Sequence, residues 1–360
     1  MKVHCVVIVP AHVPTGPVKG AYALANSLVG MCEVTLVSIK FGGNANARLD
    51  PRVRRVDLAA ECRGSLGKVR RYKKLISDAA SRSRVVTVSY CLSADVFNIA
   101  FSGDKSFIIC SVRGNLFENY KFDYGFIGVP LAYIHLLCVK SAHRVVALNS
   151  PMADQISSIC GQKVTIIENF IDEKALEHLR KSIRNQGAYK FIFVGSLTLR
   201  KQPIQVIRAI GELVGCGMSV SLSVIGAGPE EFNLRNEIKR LNLDNLVTLH
   251  GFLDEPSRLI AESDVLVLPS ISEGTSRAAM EALFLGIPCV LRDIDGNHEL
   301  ISHGGNGVLY EDDRHLAVAM IHAGQLARNL GAVECLLPAQ FRQDTASRKY
   351  LEIIGEHQYD

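Results

Sequence analysis

The 360-residue sequence lacks the signatures of several function classes. None of its ten cysteines forms a C-x-x-C pair, which speaks against a thiolate metal site. Cys5 and Cys289 sit inside apolar runs and read as small buried hydrophobes in a reducing compartment. No His/Cys/Asp cluster has metal-ligand spacing, and there is neither a G-x-S-x-G elbow nor a P-loop. No fixed-period repeat is visible, which argues against a solenoid or a propeller. Long apolar runs are missing too. Met1–Pro10 carries one lysine and an apolar run about half as long as a signal segment with its cleavage site, so it reads as a strand. Phe126–Val139 is apolar but closed by Lys140, His143 and Arg144, too short to span a bilayer. The net charge of +4 is mild and gives no sign of a nucleic-acid partner. The expectation is a cytoplasmic chain, neither secreted nor integral.

What is present is enough apolar material for two cores: 48% of the residues are hydrophobic, over a length that favours two domains. Short apolar runs bounded by polar residues read as buried strands at Lys2–Pro10, Glu33–Ile39, Val85–Ser89, Phe107–Ser111, Arg144–Leu148 and Val164–Ile167. A turn-rich loop with Pro14, Gly16, Pro17 and Gly20 leads to a helix over Ala21–Val29. The second half alternates more cleanly. Strands at Phe191–Val194, Ser219–Ile225, Leu246–His250, Val265–Pro269, Pro288–Leu291 and Gly307–Tyr310 are separated by helical patterns such as Pro203–Leu213, Glu231–Leu241 and Ser276–Leu285. This alternation predicts an α/β protein with two Rossmann-like, doubly wound parallel sheets whose strand ends face a shared cleft. Residues 1–172 form the first domain, and polar Glu173–Ala188 is the crossover into the second, 173–338. A last helical stretch, Ala339–His357, is free to pack on either domain, and 339–360 is assigned as returning to the first.

The most informative stretch runs from Pro269 to Glu281. A strand ends there, and a glycine-containing loop enters a helix with Thr275 or Ser276 as its N-cap. Free N–H groups at such a terminus favour an anion, yet Glu273 lies in the loop and Glu281 in the second turn. The plain reading makes Glu273 a capping carboxylate and Glu281 a solvated residue. The alternative is a carboxylate pair satisfied by ligand hydroxyls.

Glu273 and Glu281 stand in an E-x7-E spacing, followed by Ala282, Gly286 and Pro288, then Asp295-Gly296-Asn297-His298-Glu299. This resembles retaining glycosyltransferase family 4, of GT-B fold. Gly226-Ala227-Gly228-Pro229-Glu230 is similar to that family's G-x-G-P-E loop, Val247–Gly251 with Phe252 to its V-x-x-x-G-F strand end, and Val194–Lys201 to its V-G-x-L-x-x-x-K element. The likeness is dense from about Lys190 to Leu309 and thin before it. The resemblance implies that Glu281 holds the donor's ribose hydroxyls and that Glu273 holds the donor sugar and meets positive charge near its anomeric carbon. Backbone around Gly274, Thr275 and Ser276 would bind the sugar or diphosphate, with Gly195, Gly226 and Phe252 at the same site. Lys201 would neutralise the leaving diphosphate, a task suited to a compact cation.

Two positions depart from the family pattern. Ser196 stands where many members carry a phosphate-binding arginine, with Arg200 nearby as a substitute. Where many members carry a first-domain histidine, this chain has Ser111-Val-Arg-Gly-Asn115; Arg113 is either the catalytic residue of that place, directed into the cleft toward donor or acceptor, or an ordinary surface arginine. Gly16 and Gly20 miss the G-x-G-x-x-G spacing of a dinucleotide fingerprint but leave Lys19 and Gly20 for a phosphate or acceptor. Asp293-Ile-Asp295 matches the D-x-D of metal-dependent enzymes of another fold and carries little weight.

Gly64–Arg84 holds seven cations against Asp78, with Leu66, Val69, Tyr72, Ile76 and Ala79 at helical spacing. It reads as a solvated face of a domain helix or as a helix lying on an anionic leaflet, at the inner face of the cell membrane. The expected function is retaining transfer of a hexose-type unit from a nucleotide diphosphate sugar, UDP-sugar favoured, to a glycan or lipid-linked glycan acceptor in surface-polysaccharide or lipopolysaccharide synthesis. No metal and no further cofactor are expected. The alternatives are a nucleotide-sugar 2-epimerase on the same fold and a catalytically silent glycan- or nucleotide-binding domain.

Overall fold

The computed structural model describes the chain except residues 1, 14, 44–48, 162–163, 181–186, 331–334 and 357–360. Pro14, part of the 173–188 crossover and His357 therefore lie outside the described residues. The chain divides into two compact units, residues 1–172 with 340–360, and residues 173–339.

The first unit is built from strands β1 (Val3–Val9), β2 (Glu33–Ser38), β3 (Arg54–Asp57), β4 (Arg84–Tyr90), β5 (Ser106–Ser111), β6 (Arg144–Ala147) and β7 (Val164–Ile166). Its helices are α1 (Gly16–Leu28), α2 (Leu58–Glu61), α3 (Gly64–Ala80), α4 (Leu92–Phe101), α5 (Leu116–Tyr124), α6 (Gly128–Val139) and α7 (Ser150–Cys160). The strands form one parallel sheet in the order β3-β2-β1-β4-β5-β6-β7. Alternation along each strand sorts its residues between two cores, as the period of two requires. Cys5, Val7, Val9, Val86, Val88, Phe107 and Ile109 pack under α1. Val6, Ile8 and Val85 meet α3 and α4. Ile108, Cys110, Val145 and Ala147 meet α6 and α7.

The second unit contains α8 (Glu173–Leu176), β8 (Tyr189–Val194), α9 (Pro203–Gly215), β9 (Val220–Ile225), α10 (Glu231–Arg240), β10 (Val247–Gly251), α11 (Ser257–Ala261), β11 (Val265–Leu268), α12 (Arg277–Phe284), β12 (Cys289–Arg292), α13 (Asp295–His298), β13 (Gly307–Tyr310) and α14 (Leu316–Asn329). Its parallel sheet runs β10-β9-β8-β11-β12-β13, the doubly wound order whose direction reverses between β8 and β11. The final helix, α15 (Gln343–Glu356), belongs to the first unit and sends Ala346, Tyr350, Ile353 and Ile354 into the core beneath α1.

Three expectations need correction here. The Gly16–Gly20 stretch is not a loop: Gly16 opens α1, Thr15 is its N-cap, and Gly20 is buried inside the helix. Proline at the first helical positions has no N–H to lose, so Pro17 fits the first turn instead of breaking it. Strand β3 was missed, because Arg54-Arg55-Val56-Asp57 is an edge strand with one buried residue. The leaflet reading of Gly64–Arg84 required an outward apolar stripe, yet of that stripe only Leu66 is exposed; Val69 is half-buried, and Tyr72, Ile76 and Ala79 are buried in the core. Lys68 donates to the Ile39 carbonyl and Arg71 to Glu61, so α3 is a domain helix with a cationic outer side.

A buried polar chain crosses the α3–α4–α6 layer. Asp95 accepts from Ser89 at 2.6 Å and pairs with His135 Nε2 at 2.8 Å, while His135 Nδ1 meets the Tyr120 hydroxyl at 3.0 Å. Asn98 donates to Ser89 and accepts from Ser102, which bonds the Tyr72 hydroxyl. Each group finds a partner, which is what lets a carboxylate sit in that layer.

Because α15 completes the first core, Ile354→Ala should cost about 2–4 kcal/mol. Urea unfolding followed by circular dichroism measures it; a midpoint equal to the parent's would show that α15 is not part of that core.

Candidate active site

Sheet geometry alone selects one place in the second unit. Open doubly wound sheets bind ligands beyond the C-terminal ends of their strands, where the strand order reverses. Strands β8 and β11 flank that point, and the loops after them carry the residues singled out in the sequence.

After β8 the chain runs through Gly195 and Ser196 into a short turn, Leu199–Lys201. Two glycines of the β9 loop clamp this segment. A Cβ on Gly226 would strike the Gly195 carbonyl, and one on Gly228 would strike the backbone of Leu197. Gly226 also has φ +149°, which L side chains rarely adopt. Gly195 N–H donates to Ile225 O at 3.0 Å, Leu197 N–H to Ala227 O at 3.0 Å, and Glu230 N–H to Leu197 O at 3.0 Å. The G-x-G-P-E element thus fixes the loop that delivers Arg200 and Lys201.

After β11 the chain delivers Glu273. The Lys201 ammonium donates to Glu273 Oε1, and Arg200 Nη1 lies 3.8 Å from Glu273 Oε2. Arg200 also donates to the Ser272 carbonyl at 2.8 Å, and Ile271 N–H donates to Arg200 O at 3.0 Å. Only 11% of the Glu273 side chain and 13% of the Lys201 side chain stay exposed. Burial by itself would raise the Glu273 carboxyl; Lys201 and Arg200 outweigh it and hold it below the ordinary carboxylate range.

The loop then enters α12. Ser276 is the cap, its hydroxyl accepting from Ala279 N–H, while Thr275 Oγ1 donates to the Gly274 carbonyl at 2.6 Å. Glu273 is therefore not the capping carboxylate of the plain reading. Nor is Glu281 solvated: it is 5% exposed and accepts from Ser257 Oγ at 3.1 Å. The loop after β12 closes the arrangement, since a Cβ on Gly296 would strike the carbonyl oxygens of Glu273 and Gly274. Beside it Asn297 donates to Arg292 O at 2.9 Å while its Oδ1 is enclosed without a hydrogen-bond partner, as is Thr198 Oγ1 in the β8 loop. Such unmet atoms at strand ends are places for a ligand's polar groups. Asp293 is taken by His298 Nε2 at 2.6 Å.

Glu273, Lys201, Arg200, Gly195, Gly226, Gly274, Thr275 and Ser276 are thus carried on the loops after β8, β9 and β11, with Glu281 one helical turn on. Ser196 is exposed, and Phe252, 59% exposed, follows β10. Arg113 is held within the first unit, with its buried Nε and Nη1 left without a hydrogen-bond partner. Its guanidinium lies over the Tyr90 ring, 4.9 Å from the centroid, and donates to Tyr90 and Tyr350 hydroxyls at 3.1 and 2.8 Å. A planar cation stacks and bonds in this way without a carboxylate, so Arg113 ties β5 to α15 inside the first unit. Sequence reasoning missed Ser257, Asn297 and Thr198. Single serine, asparagine or threonine residues carry no spacing signal.

Among the described residues no group of three or more His, Cys, Asp or Glu side chains is placed to hold a metal ion, and no helix is long and apolar enough to cross a membrane.

Glu273 contributes stability above its unfolded pKa of about 4.3 and loses it as pH falls through the depressed folded value. Carboxyl-detected NMR should find Glu273 titrating below the ordinary range in the parent and shifted upward in Lys201→Ala, where burial is opposed by Arg200 alone. An unchanged titration in the variant would dissolve the pair as an electrostatic unit.

Residues 175–322 match the profile of the family described as glycosyl transferases group 1. Among curated proteins the chain is 27% identical over 179 residues to N-acetyl-alpha-D-glucosaminyl L-malate synthase of Bacillus anthracis, covering 47% of each. It is 26% identical over 226 residues to UDP-Gal:alpha-D-GlcNAc-diphosphoundecaprenol alpha-1,3-galactosyltransferase of Escherichia coli, covering 57% of this chain and 56% of that one. The chain thus spans about half the length of these relatives. Among solved structures, Anabaena HepE in complex with UDP superposes with a TM-score of 0.76 at 19% identity, covering 99% of this chain and 100% of that one. Most of the second unit thus carries the glycosyl transferases group 1 profile, and the chain has the GT-B fold of two Rossmann-like units.

Proposed function

We propose that the protein transfers a sugar, with retention at the anomeric carbon, from a nucleoside diphosphate sugar to a glycan or lipid-linked glycan acceptor in surface-polysaccharide or lipopolysaccharide synthesis. The observation that carries this reading is the Glu273 carboxylate held by Lys201 and Arg200 at the switch point of the second sheet. A reaction that releases a diphosphate needs fixed positive charge where the two phosphates gain negative charge. Lys201 and Arg200 are that charge, and the N–H groups at the start of α12 add to it. Glu273 balances the cations before donor arrives and meets the positive charge that grows on the anomeric carbon as the bond to the diphosphate breaks. Glu281, reached through Ser257, accepts from the ribose hydroxyls. Arg200 does the work of the arginine that Ser196 replaces. UDP is the favoured carrier, a choice supported by the UDP bound to the Anabaena neighbour. The galactosyltransferase name of the Escherichia coli relative supports an acceptor built on a lipid diphosphate.

Roles divide by when each interaction forms. Hydroxyl contacts change little during reaction, so Glu281→Ala should raise the donor KM with kcat nearly kept. Glu273→Ala should lower kcat, because it meets charge present only in the transition state. Lys201→Ala should lower turnover about a hundredfold or more. Steady-state kinetics with UDP-sugars checks all three; the opposite split between Glu281 and Glu273, or an indifferent Lys201, overturns the assignment.

Transfer should continue with excess chelator, since Lys201, Arg200 and the α12 terminus supply the charge that a divalent cation supplies elsewhere. An absolute need for manganese or magnesium in the chemical step would refute this. Turnover of the nucleotide sugar without acceptor, giving an epimer, would replace transfer by the 2-epimerase reading.

A further inference from the structure

Helix α6 is apolar on both its inner and its outer face, with buried His135 its most polar side chain. Its inner face, Gly128, Ala132, Leu136 and Val139, is buried in the core over β5 and β6, as such a face should be. Its outer face is also apolar: Val129 is 38% exposed, Tyr133 48%, Ile134 54% and Leu137 56%. At the corner where α5 turns into α6, Phe126 is 96% and Ile127 75% exposed. Between Lys121 and Lys140 the sequence carries a single charge, Asp123, and none from Tyr124 to Val139. Scattered exposed hydrophobics are normal, but a contiguous set of this kind marks a surface that meets something apolar.

What it meets follows from the neighbouring helices. α4 packs against both α3 and α6, so the three form one layer on one side of the first sheet. α3 places Arg70, Lys73 and Lys74 on the exposed side of that layer, and α4 adds Val96. Lys121 is exposed on α5. One layer thus presents aromatic and aliphatic side chains at one end and a cluster of cations at the other. A protein partner could match the apolar part. An anionic lipid surface matches both, with phosphate headgroups for the cations and the acyl boundary for the aromatic corner. At 12 residues α6 extends about 18 Å, well short of a bilayer core of about 30 Å, so it can lie on a leaflet but not cross it.

We propose that the outer face of the α3–α4–α6 layer docks on an anionic bilayer surface, with Phe126 and Ile127 entering the acyl boundary and Arg70, Lys73, Lys74 and Lys121 meeting headgroup phosphates. The membrane contact is thereby moved from the apolar stripe of α3, which the core consumes, to the α5–α6 corner. The proposal stands apart from the transfer reaction, since binding is read without donor or acceptor.

The chain has no tryptophan, so a single one reports its own surroundings. In the full-length Phe126→Trp protein, vesicles of phosphatidylcholine with a third phosphatidylglycerol should shift the emission to the blue, and phosphatidylcholine alone should not. Val318→Trp, at a half-exposed position of the second unit, should show no shift with either. Sedimentation with the anionic vesicles should be lost in Ile127→Ser/Ile134→Ser/Leu137→Ser. It should weaken about a hundredfold in Arg70→Ser/Lys73→Ser/Lys74→Ser, at roughly fivefold per cation near the leaflet, and fade with salt. All six positions are exposed, so the melting temperatures should match the parent's. Three results overturn the proposal: no shift at Phe126→Trp, equal shifts at both reporters, or undiminished sedimentation of the serine variant at the corner. A blue shift that grows with protein concentration in the absence of vesicles overturns it as well, because a second copy of the chain would then cover the face.

Discussion

A carboxylate enclosed at the end of a parallel sheet is costly unless a cation stands beside it. The pairing of Glu273 with Lys201 is that contact, and much of the second unit's loop geometry serves it. Lys201 reaches Glu273 because β8 and β11 are neighbours at the point where the strand order turns. The β8 loop keeps its path because Gly226 and Gly228 leave no room for it to move toward β9. The β11 loop keeps its path because Arg200 holds the Ser272 carbonyl and Gly296 presses on the next two carbonyls. Glycine at 226, 228 and 296 is thus a consequence of where one ion pair has to form.

The same logic applies within each unit. In the second, polar groups gather beyond the strand ends around Glu273, and some of them, such as Thr198 Oγ1 and Asn297 Oδ1, are left unmet. In the first, a closed network runs through Asp95 and His135, while Arg113 keeps two buried N–H groups, Nε and Nη1, without a partner. Asp95 has His135 and Ser89, His135 has Tyr120, and Arg113 has two tyrosines. Satisfied networks fix packing, whereas an unmet buried polar atom has a bond still to make.

Legibility in the sequence followed signal type. The strands of the second unit could be read to within two residues at each end, because most are largely buried apolar runs and the edge strand β10 ends in the V-x-x-x-G-F pattern. Glu273, Glu281 and Lys201 were visible because their spacing forms a pattern. Strand β3 was not, since an edge strand needs few apolar residues. The start of α1 was obscured by Gly16, Pro17 and Gly20, residues that break a helix in its middle but not in its first turn. The partners of Arg113 were not legible, because Tyr350 lies 237 positions away and no local pattern can announce that. The charge on α3 was legible, but not which side of the helix the core would take.

The return of α15 bears on how the chain is made. The first unit is discontinuous: its core beneath α1 closes only when Ala346, Tyr350, Ile353 and Ile354 are in place. On a ribosome those residues emerge after the whole second unit, roughly ten to forty seconds later at about 5–20 residues per second. During that interval the groove beneath α1 is open to water and to other nascent chains, while the continuous second unit is free to fold. Vectorial synthesis therefore favours completion of the second unit first, with the first unit sealed last by a helix from the far end of the chain.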